Sequence, residues 1–322
     1  MFNRIKIIDQ LRGIAAIMVT WFHMTNMYPE GIVKLSGHYG WLGLEIFFVI
    51  SGFIIPYAMF RNGYSIKKDY GRFLLKRIIR IEPPYIMAVL FTLGLLYLSS
   101  MAPGFQGNNP DISLKHVFLH FGYLNGIFGY SWFNPVFWTL AIEFQFYLFI
   151  SFLFPLMSSK NTFIRSISFS FICALSLIFP QEIFVLHYMC LFAFGIVTFQ
   201  ILCKIISMQQ YFVMLIIAGI FSYFSLGMLI TSVAIGTSLV ILFFKTKEFR
   251  VLSFLGAISY SLYLVHIPIG GRIVNIGKRF ADSDVEFFFI SLLATAISIV
   301  CAYYFYKIIE KPAMKLASKI KY

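Results

Sequence analysis

Apolar positions run in long blocks along this chain, and polar positions gather in the short stretches between them. Ten blocks approach the length of a membrane-crossing helix: residues 7–28, 41–60, 73–98, 133–157, 163–179, 183–202, 211–226, 228–244, 251–272 and 285–309. A run near 20 residues matches an acyl core of about 30 Å at about 1.5 Å per residue. The pattern predicts an all-α polytopic integral membrane protein of about ten transmembrane helices. The seventh and eighth blocks are the least clearly divided. Ser222, Ser225 and Gly227 mark the turn between them; without it the two would merge and leave nine spans.

Charge decides between ten and nine. With ten spans and a cytoplasmic N-terminus, 21 of the 26 Lys and Arg lie inside, leaving Lys34, Lys115, Arg272, Lys278 and Arg279 outside. A merged helix would export Lys245, Lys247, Arg250, Lys307, Lys311, Lys315, Lys319 and Lys321, against the positive-inside rule. Both termini are therefore expected in the cytoplasm. The first block lacks a small-residue cleavage pattern and is expected to stay as a signal-anchor helix. No repeat, low-complexity tract or appended soluble domain interrupts the pattern, so residues 1–322 are expected to be one transmembrane domain.

Composition agrees: 60% of residues are hydrophobic and 12% charged, with a mean hydropathy of +0.83, where a soluble domain carries about twice that charged share. The net charge of +13 would suggest nucleic acid if it formed a solvated patch. Here the basic residues sit mainly between apolar blocks, which argues against that partner and for membrane lipids. Cys173, Cys190, Cys203 and Cys301 lie in apolar stretches without CxxC spacing, and point to neither a disulfide framework nor a metal site. Three connections stand out. Residues 61–80 form the basic loop, 99–132 a long outer loop with room for a short surface helix at 112–123, and 273–284 a mixed-charge outer turn.

Against this apolar background a few ionisable groups stand out, and such groups usually face a bundle interior and mark a working site. The first block carries Asp9, Arg12 and His23. Arg12 and His23 are eleven residues apart, about three full turns, so they share one face and lie about 16 Å apart along the axis. His23 suits a general base or a nucleophile, against a plain packing role. Arg12 suits an inward-facing anchor held by Asp9, against a side chain that snorkels to lipid phosphate. Arg77 and Arg80, at i, i+3 spacing, offer two guanidinium forks for phosphate near the inner end of the third block. Anionic lipid is the competing ligand there.

Glu143 is the only acid in the fourth block, with Trp138, Gln145, Phe146 and Tyr147 near it in sequence. Glu45 lies among Gly40, Gly43, Ser51 and Gly52, small residues that favour close helix packing. Tyr260, Tyr263 and His266 share a face of the ninth block and suit either a polar cavity or an interfacial belt. No GxSxG, Gly-rich phosphate loop or metal-ligand spacing is present.

Six stretches in order then carry a resemblance: LRGIAA with Arg12 and, after ten residues, His23; GWLGLEIFFVISGF; KRIIR; FWTLAIEFQFYL; ISYSLYLVHIP; and EKP at Glu310. The chain resembles the membrane acyltransferase-3 family, whose members O-acylate surface polysaccharides, peptidoglycan and related glycans. The resemblance implies acetyl-CoA or another acyl-CoA as cytosolic donor substrate, with no permanently bound cofactor and no metal. It implies a surface glycan or lipid-linked saccharide as acceptor, and a multi-pass protein of the inner (cytoplasmic) membrane. It makes His23 the catalytic histidine, has Arg12, Arg77 and Arg80 hold the donor or the site together, and makes Glu143 the family's fourth-span acid, which by analogy with carboxylate–histidine pairs would orient or charge-balance the imidazole. Asp9, Glu45, Trp138, Tyr263 and His266 support. Two departures stand out: Glu45 replaces the family's usual Asp, and the esterase-like domain of many members does not follow. Asn108, Asn109, His116 and His120 of the outer loop are candidates for acceptor choice. A transporter or flippase with a proton relay, and an acyl-CoA sensor without turnover, are the rival classes; the first should show two hydropathy-related halves, and none is evident.

Overall fold

The computed structural model describes residues 6–101, 112–245 and 247–321, and among these the chain is helical without strands. Helix α1 (Lys6–Thr25) leads through a short outer helix α2 (Ile32–Gly37) and one 3-10 turn to α3 (Gly43–Arg61). The longest helix, α4 (Ile66–Ser100), precedes a loop helix α5 (Leu114–His120), within the stretch where a surface helix is expected. Then come α6 (Phe137–Met157), α7 (Thr162–Ile178), α8 (Met189–Leu202), α9 (Met208–Leu226) and α10 (Met228–Phe243). The chain closes with α11 (Arg250–Ala257), α12 (Ser259–His266), α13 (Arg272–Gly277), α14 (Asp284–Phe305) and α15 (Lys311–Ser318).

Among the described residues, six helical segments are long and apolar enough to cross a membrane: 32–61, 66–100, 137–157, 185–202, 208–226 and 284–318. A seventh is reached if the bent pair α11 and α12–α13 counts as one. These mark a multi-pass membrane protein. Of the other expected spans, α7 and α10 have 17 and 16 residues, and α1 carries Asp9 and Arg12. The doubtful boundary falls at Gly227 alone, whose φ of +87 favours glycine, while Ser222 and Ser225 stay inside α9. Ser222 meets the Thr231 hydroxyl across that turn at 2.8 Å, so α9 and α10 fold back on each other as two helices.

Helix α8 is buried on every side from Met189 to Gln200, enclosed by α3, α7, α9 and α10. Its approach to α3 is set by a pair of glycines. A Cβ on Gly52 would lie 2.1 Å from the Phe192 carbonyl oxygen, and one on Gly195 2.1 Å from that of Val49. No larger residue fits at either position.

The ninth block is not one continuous helix. It breaks at Ile258 with a 62° bend. Gly256 presses α11 against α1, where a Cβ would sit 1.9 Å from the Asp9 carbonyl oxygen, and Ser259 Oγ caps the Gly256 carbonyl at 3.0 Å. Two π-helical turns follow, Ile267–Gly271 directly after His266 and Tyr306–Glu310 ending on Glu310. Such bulges recur at working sites because they re-aim the residues beside them.

Candidate active site

A cavity of about 230 Å³ lies where α1, α3, α4, α6, α12 and the second π turn meet. Helix α1 turns Arg12 into it, and α4 adds Arg77 and Arg80 at their i, i+3 spacing. Glu143 and Tyr147 come from α6, Ser51 from α3, Tyr260 and Tyr263 from α12, and Glu310 from the π turn. Apolar residues such as Leu44, Phe47 and Ile54 complete the wall. Three permanent cations therefore converge in a low-dielectric setting.

None of the three guanidiniums is ion-paired among the described residues, and Arg77 Nε is buried without a hydrogen-bond partner. Arg77 lies 5.4 Å from the Phe73 ring and 5.5 Å from the Tyr147 ring, so aromatic faces carry part of its desolvation. The acids do not quench the arginines by contact. Glu143 Oε1 accepts hydrogen bonds from the Tyr147 hydroxyl at 2.6 Å and from Ser51 Oγ at 3.2 Å. Glu310, only 3% exposed, accepts from Ser261 Oγ at 2.5 Å and from Ser261 N at 3.2 Å. Arg12 and Arg80 are close enough for their charge to act on Glu310. An unpaired buried cation costs several kcal/mol, and an anion entering the cavity would offset that cost.

Helix α12 is fastened on several sides. The Tyr260 hydroxyl donates to the Ile81 carbonyl at 2.9 Å, Asn134 Nδ2 to the Leu264 carbonyl at 3.1 Å, and the Tyr263 hydroxyl meets Thr139 Oγ1 at 2.7 Å. Tyr263 lines the cavity, and its ring centroid lies 5.8 Å from that of His266. His266 in turn faces His23, with ring centroids 5.2 Å apart. Neither histidine lines the cavity. Helix α1 thus contributes both to the arginine cavity, through Arg12, and to an imidazole pair outside it, through His23.

The family model described as an acyltransferase domain matches residues 5–307. The chain belongs to the acyltransferase-3 family. Its relatives include the putative acetyltransferase ORF330 of Acidianus two-tailed virus, 29% identical over 44% of this chain and 39% of that protein. The O-acetyltransferase OatA of Staphylococcus aureus is 28% identical over 47% of this chain and 24% of its own length. A putative membrane-bound transacylase, BcsY of Komagataeibacter xylinus, is 28% identical over 51% and 42%. The matched stretches thus span less than half of each of these relatives. No solved structure matches the chain.

Within this acyltransferase-3 member, the cavity brings together Arg12, Arg77, Arg80, Glu143 and Tyr263. Other expectations need correcting. Glu143 is bonded to Ser51 and Tyr147, not to His23. The carboxylate that faces Arg12 across the cavity is Glu310; Asp9 does not line it and instead lies at the α1–α11 contact. Tyr260 and Tyr263 reach the cavity, whereas His266 on the same face does not. Trp138 packs on Tyr188 at 5.8 Å, and Glu45 is 6% exposed with Oε2 unpartnered; neither lines the cavity. The cavity also holds Ser51, Tyr147 and Glu310, which sequence spacing does not mark as site residues. Glu310 had a signal: it is the only acid after Glu286, set directly behind an apolar block. His116 and His120 are buried inside the outer loop, and Asn108 and Asn109 lie outside the described residues.

Proposed function

We propose that this protein is a membrane O-acyltransferase that moves an acetyl group from cytosolic acetyl-CoA to a hydroxyl of an extracytoplasmic glycan. The observation that carries the reading is the cavity with three guanidiniums that form no ion pair among the described residues, one of which, Arg12, sits on the helix that also bears His23 about 16 Å further along. Phosphates of coenzyme A match planar donor forks, and the pantetheine arm spans a length comparable with the Arg12–His23 separation. The cavity, at about 230 Å³, is smaller than sites that enclose a whole drug-sized ligand, and so suits part of the donor. The names of the Staphylococcus and Komagataeibacter relatives favour O-acyl transfer over transport. The positive-inside count favours ten spans with both termini in the cytoplasm of an inner-membrane protein, donor end inward.

In the reaction His23 accepts the proton of the acceptor hydroxyl while its oxygen attacks the thioester carbonyl carbon. The new C–O ester bond forms, the C–S bond breaks, and the coenzyme A thiolate leaves with the proton that His23 returns. Glu143, Tyr147 and Ser51 form a hydrogen-bonded group that shapes the cavity wall beside the arginines. The test is transfer of labelled acetyl from acetyl-CoA to surface glycan by the purified chain in proteoliposomes, read by mass analysis. No transfer, together with saccharide flux across the same vesicles, would establish the transport reading instead.

A further inference from the structure

His266 is completely buried, and one of its ring nitrogens has no partner. Nδ1 lies 3.0 Å from the carbonyl oxygen of Leu262, one helical turn earlier. A carbonyl only accepts, so Nδ1 carries the hydrogen. In the neutral ring Nε2 is then a bare acceptor. A doubly protonated ring would be a sealed cation without a counter-charge, which its surroundings disfavour.

The imidazole packed on this ring is His23, with centroids 5.2 Å apart and planes inclined at 46°. Tyr263, the other ring near His266, has its hydroxyl engaged with Thr139 and the Val136 carbonyl. His23 makes no hydrogen bond to any described residue and is half-buried, so a turn of its ring can bring an N–H to Nε2. The receiving atom is held still. Helix α12 is fastened at Leu264 by Asn134, and the π turn Ile267–Gly271 begins directly after His266.

We infer that His266 is a positioning residue for His23, accepting the His23 N–H on its bare Nε2 during turnover. This rests on the reading of His23 as the base. A neutral imidazole has one N–H and one lone pair, so fixing the N–H toward His266 aims the lone pair at the acceptor hydroxyl. When His23 takes the proton, both of its nitrogens carry hydrogen, and Nε2 of His266 stabilises the cation. That is the service a carboxylate gives in carboxylate–histidine pairs. The proton then returns from His23 to the departing thiolate, so nothing accumulates on His266. A neutral acceptor does this without adding a charge to an apolar layer.

The test compares His266→Phe, which keeps the volume and removes the acceptor, with His266→Gln, whose Oε1 can accept. The first readout needs no substrate: the rate at which diethyl pyrocarbonate modifies His23 in the detergent-solubilised full chain, followed by mass spectrometry. Modification should slow several-fold in His266→Phe and recover in His266→Gln. The second readout is acetyl transfer, where kcat in His266→Phe should fall about 100-fold with KM for acetyl-CoA within about twofold. His266→Gln should regain at least about tenfold of that loss. Equal His23 modification in wild type and His266→Phe overturns the pairing, as does a matched kcat loss in both variants with lowered melting temperatures. If His266→Phe does not fold, His266→Met carries the same comparison. Should the modification pattern hold while the wild type transfers no acetyl group, the pairing stands and the acyl-transfer reading falls.

Discussion

The ring centroids of His23 and His266 are 5.2 Å apart and those of His116 and His120 5.6 Å, yet the two pairs live in different surroundings. The outer-loop pair is boxed in. Phe133 lies 4.2 Å from His116 and 4.3 Å from His120, Trp132 and Phe137 close the His120 side, and Ser131 O and the Tyr85 hydroxyl take one nitrogen each. The other pair joins a sealed ring to a half-buried one without hydrogen-bond partners among the described residues. Both pairs contain an unpartnered Nε2, on His120 and on His266. Burial and an orphaned nitrogen are therefore not sufficient signs of a working histidine. The deciding feature is a neighbouring imidazole with an N–H to give and room to turn.

Four changes would break or sharpen that contrast. His23→Ala should abolish acetyl transfer, a loss of at least about 1000-fold, while expression and the detergent elution profile stay as in wild type. Retained transfer would reduce the two pairs to the same structural kind. Arg80→Ala should raise KM for acetyl-CoA by about tenfold or more, the scale of a lost charge-assisted hydrogen bond, and affect kcat less. An unchanged donor requirement would return the arginines to lipid anchoring.

Glu310→Gln should move binding the other way. It removes a negative charge beside Arg12 and Arg80, so acetyl-CoA should bind a few-fold more tightly while the melting temperature drops. Weaker donor binding in isothermal titration would contradict a cavity built for anions. The smallest effect on turnover belongs to His120→Phe, expected within about twofold of wild type. Its signature is in pH. Burial, and then the neighbouring His116, hold His120 well below its ordinary value, to about 3. A base depressed in the folded state contributes stability above its unfolded pKa of about 6.5 and loses it as pH falls toward the folded value. Melting of the wild type should therefore decline between about pH 6.5 and 3, and less steeply in His120→Phe.

Features written in local spacing were legible beforehand. Helix α1 holds Arg12 and His23 on one rod because eleven residues close three turns, and Arg77 with Arg80 follow from i, i+3 neighbourhood. The hidden parts depend on meetings between distant segments. The bend at Ile258 arises where Gly256 meets Asp9 from the other end of the chain, and no window around residue 258 contains that contact. Glu310 acquires its place from Ser261, 49 residues away, and Glu143 from Ser51, 92 residues away. The aromatic box of the outer loop likewise needs α4 and α6 to close it, which is why two buried histidines read in sequence as surface residues.

Tyr263 has a consequence for the energised membrane. A resting potential drives each elementary charge with about 2.3 kcal/mol per 100 mV, and a continuous water path past the arginines would let that gradient run down. The Tyr263 phenol, bonded to Thr139 and Val136, is a fixed side chain in the cavity wall 5.8 Å from the His266 ring, and it narrows any such path.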